Sequence, residues 1–265
     1  MKQNREVENI DSEDLATVIE WLKEADNVVV FTGAGISTDS GIPDFRGPKG
    51  LWKTNPLAER TSTLSYYLND PEVRKVAWAG RERTFDGSAL PNDGHKALVR
   101  LQRANKLAAV VTQNVDGLHQ ASGIDEDKVW ELHGTIAYAR CWDCDDRRPM
   151  GDYIERVRNG EEDPDCFECK GIVKSDAVLF EQSLDPEVIH GAFSASENCS
   201  LMLAIGSTLG VSPANQAVVR ARAAGARVVI INGEATELDH FADVRLVGSV
   251  TPILKALMDG AEFPT

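Results

Sequence analysis

Four of the five cysteines in this 265-residue chain form two C-x-x-C pairs, Cys141 with Cys144 and Cys166 with Cys169. Two such pairs are a ligand set for a tetrahedral Zn²⁺ ion, and a site closed by four thiolates is structural rather than catalytic. The alternative, a redox dithiol, normally needs a single C-x-x-C pair at the start of a helix. The spacing therefore predicts a structural zinc site. The fifth cysteine, Cys199, is expected to pack as a small apolar side chain.

A second candidate for chemistry is the glycine turn after the apolar run "NVVVF", with glycines at Gly33 and Gly35. Glycines after a buried strand let the backbone approach a pyrophosphate, whose charge is favoured by the N-terminus of a following helix. The third glycine of a dinucleotide-binding fingerprint is missing, because Thr38 stands in its place. The acidic residue that would hold a ribose about 20 residues further on is missing as well. On this evidence the glycines could also form an ordinary tight turn.

The continuation of this loop favours a functional interpretation. Asp44, Phe45 and Arg46 place a carboxylate, an aromatic face and a guanidinium side by side. Loops of that composition are rarely explained by packing. Residues 33–47 are thus either a damaged dehydrogenase turn or a nucleotide loop for other chemistry.

Polar side chains also follow a second apolar run, in the stretch "TQNVDGLH" at 112–119. In an open α/β sheet the ligand crevice lies at the carboxyl ends of the strands, so Gln113, Asn114 and Asp116 would project into it. The alternative is a turn that uses Asn, Asp and Gly for their local hydrogen bonds. Both interpretations stay open at this point.

A candidate general base is His133, in the stretch "ELHG" at 131–134. Imidazole titrates near neutral pH and can therefore exchange protons with a substrate. Residue type alone does not choose among the five histidines of the chain, which are His95, His119, His133, His190 and His240.

Helical and apolar segments alternate along the chain and must position these residues. A helix is predicted over 12–25, with Ser12 as its N-cap. Buried strands are predicted at 27–31, 107–112, 200–206 and 226–232, and further helices at 94–105, 186–198 and 213–225. The alternation predicts an open, mostly parallel α/β sheet.

Two stretches break this alternation. Residues 48–92 are predicted to be a helical insertion, and residues 140–175, which hold the paired cysteines, a small metal-stapled module. The larger part of the predicted single domain, 1–265, then comprises about 1–47, 93–139 and 176–265.

Composition limits the partners and the location. The net charge of −14 would repel a phosphate backbone, so direct nucleic-acid binding is not expected. No apolar run approaches the roughly 18 residues that a membrane span needs. The polar, acidic N-terminus lacks the apolar segment of a secretion signal. We therefore expect a cytoplasmic protein without a membrane partner.

Taken in order, these motifs resemble those of the sirtuins, the NAD⁺-dependent protein-lysine deacylases, and bacterial members most closely. The similarity covers nearly the whole chain, and it includes "GAGISTDSGIPDFRG" at 33–47, "TQNVDGLH", "ELHG", the cysteine pairs, "GSTLGVSPA" at 206–214 and "INGE" at 231–234. The resemblance implies an α/β fold with a Rossmann-type NAD⁺ domain, an inserted zinc-ribbon module and a helical insertion. It also implies that an acyl-lysine peptide or protein binds in the cleft between the two modules.

The resemblance further implies roles for individual residues. His133 would be the catalytic base, which takes a proton from the ribose hydroxyls, and Asn114 would orient the ribose and a water. The expected products are deacylated lysine, nicotinamide and O-acyl-ADP-ribose, while one zinc ion per chain is structural. The implied NAD⁺ contacts are Gly33, Ala34, Gly35, Thr38, Ile42, Asp44, Phe45, Arg46, Gln113, Asn114, Val115, Asp116, Gly206, Ser207, Thr208, Asn232 and Val250.

The chain departs from the sirtuin pattern at three places. Ser207 and Thr208 exchange the two hydroxyl residues of the usual G-T-S-L sequence. Glu181 replaces a common glycine, which predicts added bulk and negative charge beside the bound peptide. Members that prefer acidic acyl groups carry Tyr-x-x-Arg where this chain has Trp78 and Arg81.

Four other functions compete with deacetylation. Two of them use the same fold, namely protein mono-ADP-ribosyl transfer and a preference for acyl groups other than acetyl. The third is a non-enzymatic zinc-ribbon interaction protein with a vestigial nucleotide loop. The fourth is the NAD(P)-dependent dehydrogenase that the first glycines suggest.

Overall fold

A parallel sheet forms the centre of the fold. The computed structural model describes residues 11–44, 50, 55–84 and 88–265. Six strands of the described residues form the sheet, in the spatial order β3-β2-β1-β7-β8-β9, and all adjacent pairs run parallel. They are β1 (Val28–Thr32), β2 (Leu107–Thr112), β3 (Val129–Glu131), β7 (Leu201–Ile205), β8 (Arg227–Asn232) and β9 (Val244–Val247). The α/β fold predicted from the alternating segments is confirmed.

A second, smaller sheet is antiparallel and carries the cysteines. Its strands are β4 (Tyr138–Cys141), β5 (Arg147–Pro149) and β6 (Val173–Ser175), with β4 in the centre. The division of the chain into a large part, an insertion and a small module remains the prediction made from the sequence.

Helices cover both faces of the large sheet and form the insertion. They are α1 (Ser12–Glu24), α2 (Pro56–Thr61), α3 (Leu64–Asn69), α4 (Pro71–Thr84), α5 (Asp93–Arg103), α6 (Leu118–Ser122), α7 (Met150–Arg158), α8 (Pro186–Glu197), α9 (Gln216–Ala223) and α10 (Val250–Gly260). The predicted N-cap of α1 is wrong by one residue. Ser12 is the first helical residue, and the Asp11 carboxylate caps the helix by accepting from the Glu13 amide.

Each face of the sheet has its own apolar layer, because successive strand residues point to opposite faces. Val28 and Val30 of β1 pack in one layer with α1, α5 and α10, whereas Val29 and Phe31 pack in the other with α8 and α9. All five residues of β1 are buried. The sequence of a central strand that is covered on both faces is a continuous apolar run, and this strand could therefore be predicted.

The insertion and the small sheet share one core. Trp78 of α4 is fully buried against Tyr153 of α7, with ring centroids 5.8 Å apart. Both rings belong to a cluster that also contains Cys141 and Cys166. No helix in the part of the chain that the structure describes is long and apolar enough to cross a membrane.

Candidate active site

The strand order of the large sheet reverses between β1 and β7, and ligands of open α/β sheets bind outside the carboxyl ends of the strands at such a point. A cleft of about 1890 Å³ opens here and extends to the small sheet and the insertion. Of the site residues predicted for cofactor binding and catalysis, every one that the structure describes lines it. These are Gly33, Ala34, Gly35, Thr38, Ile42, Asp44, Gln113, Asn114, Val115, Asp116, His133, Gly206, Ser207, Thr208, Asn232 and Val250. Phe45 and Arg46 lie outside the described residues.

The glycines after β1 are required by a close contact with the loop after β7. A Cβ atom at Gly33 would lie 2.8 Å from the Gly206 carbonyl oxygen, and one at Gly35 would lie 2.7 Å from the Gly206 Cα. The Gly35 amide donates to that same carbonyl at 2.8 Å. Gly206 itself has a φ of +61°, which favours glycine. The three glycines therefore let two loops hydrogen-bond through their main chains at the reversal point.

A long helix of the kind that follows a dinucleotide-binding turn is not formed by the described residues directly after Gly35. Two short 3₁₀ turns, Ala34–Ile36 and Thr38–Ser40, follow β1 instead. Gly41, with a φ of +84°, ends the second turn. The main-chain amides of Gly35, Ile36 and Ser37 donate to carbonyl groups of the protein, so the loop is closed by its own hydrogen bonds.

Ser37 is a central residue of the site that the sequence interpretation missed. It is fully buried, and its hydroxyl donates to Asp116 Oδ2 at 2.7 Å. Ser37 Oγ accepts from Asn114 Nδ2 at 3.3 Å, and Asn114 Nδ2 also donates to the Gly33 carbonyl at 3.1 Å. Asp116 Oδ1 accepts from the Leu118 amide at the start of α6. The loop thus makes the local hydrogen bond of a turn and also lines the cleft, while its role in binding a ligand stays a prediction.

Two further hydrogen bonds join the loops that follow β2 and β7. Gln113 Nε2 donates to Ser207 Oγ at 2.8 Å, and Ser207 Oγ accepts from the Leu209 amide at 3.1 Å. Ser207 therefore supplies its oxygen to the neighbouring loop. Asn232 at the end of β8 donates to the Glu234 carbonyl at 2.9 Å.

His133 has a defined orientation in the cleft. Its Nδ1 lies 3.0 Å from the Gln113 carbonyl oxygen, which can only accept, so Nδ1 carries a proton. In the neutral ring Nε2 then holds the lone pair. Burial lowers the pKa of His133 from its ordinary value, and the bond to the Gln113 carbonyl opposes this shift. A neutral imidazole with a free Nε2 lone pair is the form that a general base needs.

The other histidines have different surroundings. His95 and His119 are buried behind the glycine loop, with ring centroids 5.2 Å apart, whereas His190 and His240 are exposed. His119 Nε2 lies 2.9 Å from Thr32 Oγ1. Burial, together with a smaller contribution from the nearby His95 ring, lowers the pKa of His119 to about 3. Geometry thus singles out His133, a choice that residue types could not make.

The comparisons with known proteins agree with this geometry. The sequence model of the Sir2 family matches residues 33–213. The chain belongs to the Sir2 family, the sirtuins. A Streptomyces coelicolor protein named NAD-dependent protein deacetylase 2 is 43% identical over 233 residues, which are 88% of this chain and 97% of that protein. The predicted family is confirmed.

Solved sirtuin structures match over nearly the full length. One, from work on the mechanism and regulation of Sir2 enzymes, has a TM-score of 0.87 and 33% identity, covering 95% of this chain and 99% of that chain. Another, of a Sir2 protein with a deacetylated p53 peptide and 3′-O-acetyl-ADP-ribose, has a TM-score of 0.85 and 29% identity, covering 94% and 99%.

The four paired cysteines of this sirtuin are brought together. Their sulfur atoms all lie within 4.8 Å of one another, with Cys141 and Cys169 at 3.5 Å and Cys144 and Cys166 at 3.7 Å. Zn–S bonds of about 2.3 Å in a tetrahedron place sulfur atoms about 3.8 Å apart. The donor set therefore fits a zinc ion. Cys199 lies elsewhere, and it is buried as expected, with its thiol donating to the Ser196 carbonyl.

Glu181, which replaces a common sirtuin glycine, keeps a backbone that glycine favours, with a φ of +72°. Its side chain lines the cleft, and Oε2 accepts from the Ser65 amide in the first turn of α3 at 3.0 Å. The added side chain therefore lies in the lining of the cleft, while its effect on a bound peptide stays a prediction. One carboxylate oxygen is held by α3.

Trp78 and Arg81 on α4 have separate roles. Trp78 points into the core shared with the small sheet, while Arg81 lines the cleft. The Arg81 guanidinium donates to Tyr67 Oη and to Ser175 Oγ, both at 3.3 Å. Position 78 therefore does not place a tyrosine beside Arg81. Tyr67, on α3, places a phenol there instead.

Proposed function

We propose that this sirtuin is an NAD⁺-dependent protein-lysine deacylase that removes acetyl groups. The observation that carries the proposal is that His133, with its Nδ1 held by the Gln113 carbonyl, lines one cleft together with the loops after β1, β2 and β7. Three relatives of this chain are named NAD-dependent protein deacetylases, and these names support the same reaction.

NAD⁺ is proposed to bind along the reversal point of the sheet. The loops after β1 and β7 would hold the phosphates and the adenosine, with Ser207, Thr208, Asn232 and Val250 on the adenosine side. Gln113, Val115, Ile42 and Asp44 would surround the nicotinamide and its ribose.

Asn114 is proposed to present an acceptor. Both protons of its Nδ2 are engaged, by the Gly33 carbonyl and by Ser37 Oγ. Its Oδ1 is therefore the atom that faces a ribose hydroxyl or a water. Asp116 would act by holding Ser37, since one of its oxygens accepts from that hydroxyl.

His133 is proposed to act as the general base. In the overall reaction NAD⁺ supplies an electrophilic ribose carbon, which the acyl oxygen attacks as nicotinamide leaves. His133 Nε2 accepts a proton from a ribose hydroxyl, and Nδ1 keeps its bond to the Gln113 carbonyl throughout. That bond strengthens when the ring becomes charged, which favours the proton transfer.

The four cysteines are proposed to hold one structural zinc ion. A site closed by four thiolates leaves no position for a substrate, so its contribution is to fold the small sheet. The amides of Asp143 and Glu168 point at Cys141 Sγ and Cys166 Sγ, each at 3.4 Å, and would stabilise thiolates.

The test is product analysis with acetyl-lysine peptide and NAD⁺. We expect deacylated peptide, nicotinamide and O-acetyl-ADP-ribose in equal amounts. ADP-ribose on protein with no O-acyl product would establish ADP-ribosyl transfer instead. Reduced nicotinamide, detected by its absorbance, would indicate a dehydrogenase, and no turnover at all would favour an interaction protein.

A second candidate is a preference for acidic acyl groups such as succinyl. It is favoured by the Arg81 guanidinium, which lines the cleft beside Tyr67. Comparing kcat/KM for acetyl and succinyl peptides in the natural chain and in Arg81→Met separates the two. Acidic preference requires succinyl to be the better substrate and to lose its advantage in the variant.

A further inference from the structure

Asp176 connects the four-cysteine module to the main chain beside the cleft. It follows β6 directly, and its side chain is 14% exposed. One carboxylate oxygen accepts from Arg140 Nε on β4 at 2.7 Å, and the other from Arg147 Nε on β5 at 2.6 Å. Burial alone would raise the pKa of Asp176, but the bonds from both arginines outweigh it and lower the pKa. The carboxylate is therefore charged and joins all three strands of the small sheet.

The main chain at Asp176 contacts the turn that carries His133. A Cβ atom at Gly134, whose φ is +66°, would lie 2.3 Å from the Asp176 carbonyl oxygen. Two residues further along, the Val178 amide donates to the His133 carbonyl at 2.7 Å. Lys174 adds a bond to the Ala177 carbonyl at 2.7 Å. Residues 174–178 are thus held by the small sheet on one side and hold the His133 turn on the other.

We propose that Asp176 is a positioning residue that fixes the His133 turn in the cleft by tying residues 176–178 to Arg140 and Arg147 of the four-cysteine module. The effect of Asp176 on catalysis depends on the proposed function, in which His133 is the base. Its structural effect, which is to keep the Val178 amide bonded to the His133 carbonyl, does not depend on that function.

The geometry indicates a role beyond local stability. A general base must lie within hydrogen-bond reach of its proton donor, and a displacement of about 1 Å can cost about 100-fold in rate. The hydrogen bonds at Ser37, Gln113 and Ser207 do not involve Asp176. Loosening Asp176 should therefore lower kcat and leave the KM for NAD⁺ nearly unchanged.

Asp243 offers a matched control. Its carboxylate accepts from Arg222 at 2.7 and 2.6 Å and from the Val228 amide at 2.8 Å. It therefore holds an arginine and a main-chain segment as Asp176 does. Asp243 stands just before β9, at the amino end of the sheet, whereas the cleft lies at the carboxyl ends.

The experiment compares Asp176→Asn with Asp243→Asn in the metal-loaded protein. Amide hydrogen exchange at Val178 should become about tenfold faster or more in Asp176→Asn and stay unchanged in Asp243→Asn. With acetyl peptide, kcat should fall about 10- to 100-fold in Asp176→Asn, with the KM for NAD⁺ within about twofold and full metal content. Arg147→Gln, which keeps the bond from Arg140, should change the Val178 exchange rate and kcat in the same direction but by less. This variant replaces Asp176→Asn in the experiment if Asp176→Asn does not fold.

Each outcome of this experiment supports or overturns the proposed role of Asp176. Unchanged exchange at Val178 overturns the proposal, as does an equal loss of kcat in Asp243→Asn. If the natural chain has no deacylase activity, the proposed function fails, yet faster exchange at Val178 would still support the structural tie.

Discussion

The cleft has two walls that are built in different ways. We call the loops at 33–44, 113–117 and 206–212 the nucleotide wall, and the insertion with the small sheet the module wall. The nucleotide wall is shaped by main-chain contacts, as where Gly35 meets Gly206. The module wall is held by a cysteine cluster, a shared apolar core and ion pairs such as Arg74 with Asp163.

The difference between the walls follows from the sizes of the two sheets. The large sheet is buried on both faces and can position its loops rigidly through its own core. A sheet of three short strands buries too little apolar surface to be stable alone and needs a metal or covalent constraint. Ion pairs at a protein surface contribute only about 0–1 kcal/mol each, so they do not replace such a constraint. Small steric changes should therefore damage the nucleotide wall, and loss of ligands the module wall.

The largest expected effect is on the module wall. Cys141→Ala should lose the proposed zinc ion and lower the deacylation rate more than about 100-fold, because the small sheet no longer positions its side of the cleft. Amide exchange in β1 and β8 should stay slow, since the large sheet has its own core. Metal analysis and exchange measurements check this, with Cys199→Ala as the control that keeps metal and activity. If Cys141→Ala retained both metal and activity, the proposed difference between the two walls would be wrong.

A methyl group placed on each wall should sharpen the contrast. Gly35→Ala forces a Cβ against the Gly206 main chain and should cost more than about 2 kcal/mol in the free energy of unfolding. At Gly80 on α4, no described atom lies within 4 Å of an added Cβ, so Gly80→Ala should stabilise the helix by up to about 1 kcal/mol. Urea unfolding measures both. Equal effects at the two positions would show that the walls do not differ in this way.

Mild acid should destabilise the fold behind the nucleotide wall, where His119 of α6 lies. The pKa of buried His119 is lowered to about 3, well below the unfolded value of 6.5. A histidine with a lowered folded pKa stabilises the fold above the unfolded pKa, and this contribution is lost as the pH falls toward the folded one. The free energy of unfolding should therefore drop by about 2 kcal/mol between pH 7 and pH 5 through this residue.

His119→Gln should flatten this pH dependence, while His190→Gln, at an exposed position, should leave it unchanged. Urea unfolding at several pH values provides the measurement. If the slope of the natural chain persisted in His119→Gln, the buried ring would not be its source.

The smallest expected effect concerns one hydroxyl group. Ser37→Ala removes the donor to Asp116 and the acceptor for Asn114 Nδ2. Losing such a buried pair costs about 1–3 kcal/mol, so the KM for NAD⁺ should rise about tenfold. Ser196→Ala, which also removes a fully buried hydroxyl but on α8, is the control. An unchanged KM in Ser37→Ala would exclude this hydroxyl from organising the wall.

Much of both walls could be predicted from local patterns. The strand at Leu107–Thr112 follows from its apolar run, and the two C-x-x-C pairs predict the cysteine cluster. Helix bounds were close, as for α8 at Pro186–Glu197. These features were accessible because spacing along the chain determines them.

The remaining features depend on contacts between distant segments. Gly35 needs to be glycine because of Gly206, 171 positions away along the chain. Ser37 is unremarkable in the sequence and gains its role from Asp116 and Asn114. The choice of His133 over the buried His119 likewise required the fold.

The most direct measurement for the central claim is the reaction itself in the natural chain and in His133→Ala. The natural chain should release one nicotinamide and one O-acetyl-ADP-ribose for each lysine deacetylated, and only in the presence of NAD⁺. His133→Ala should lower kcat by about 100- to 10,000-fold, as expected for loss of a general base, and keep its metal. Deacetylation without NAD⁺, or full turnover in His133→Ala, would contradict the account.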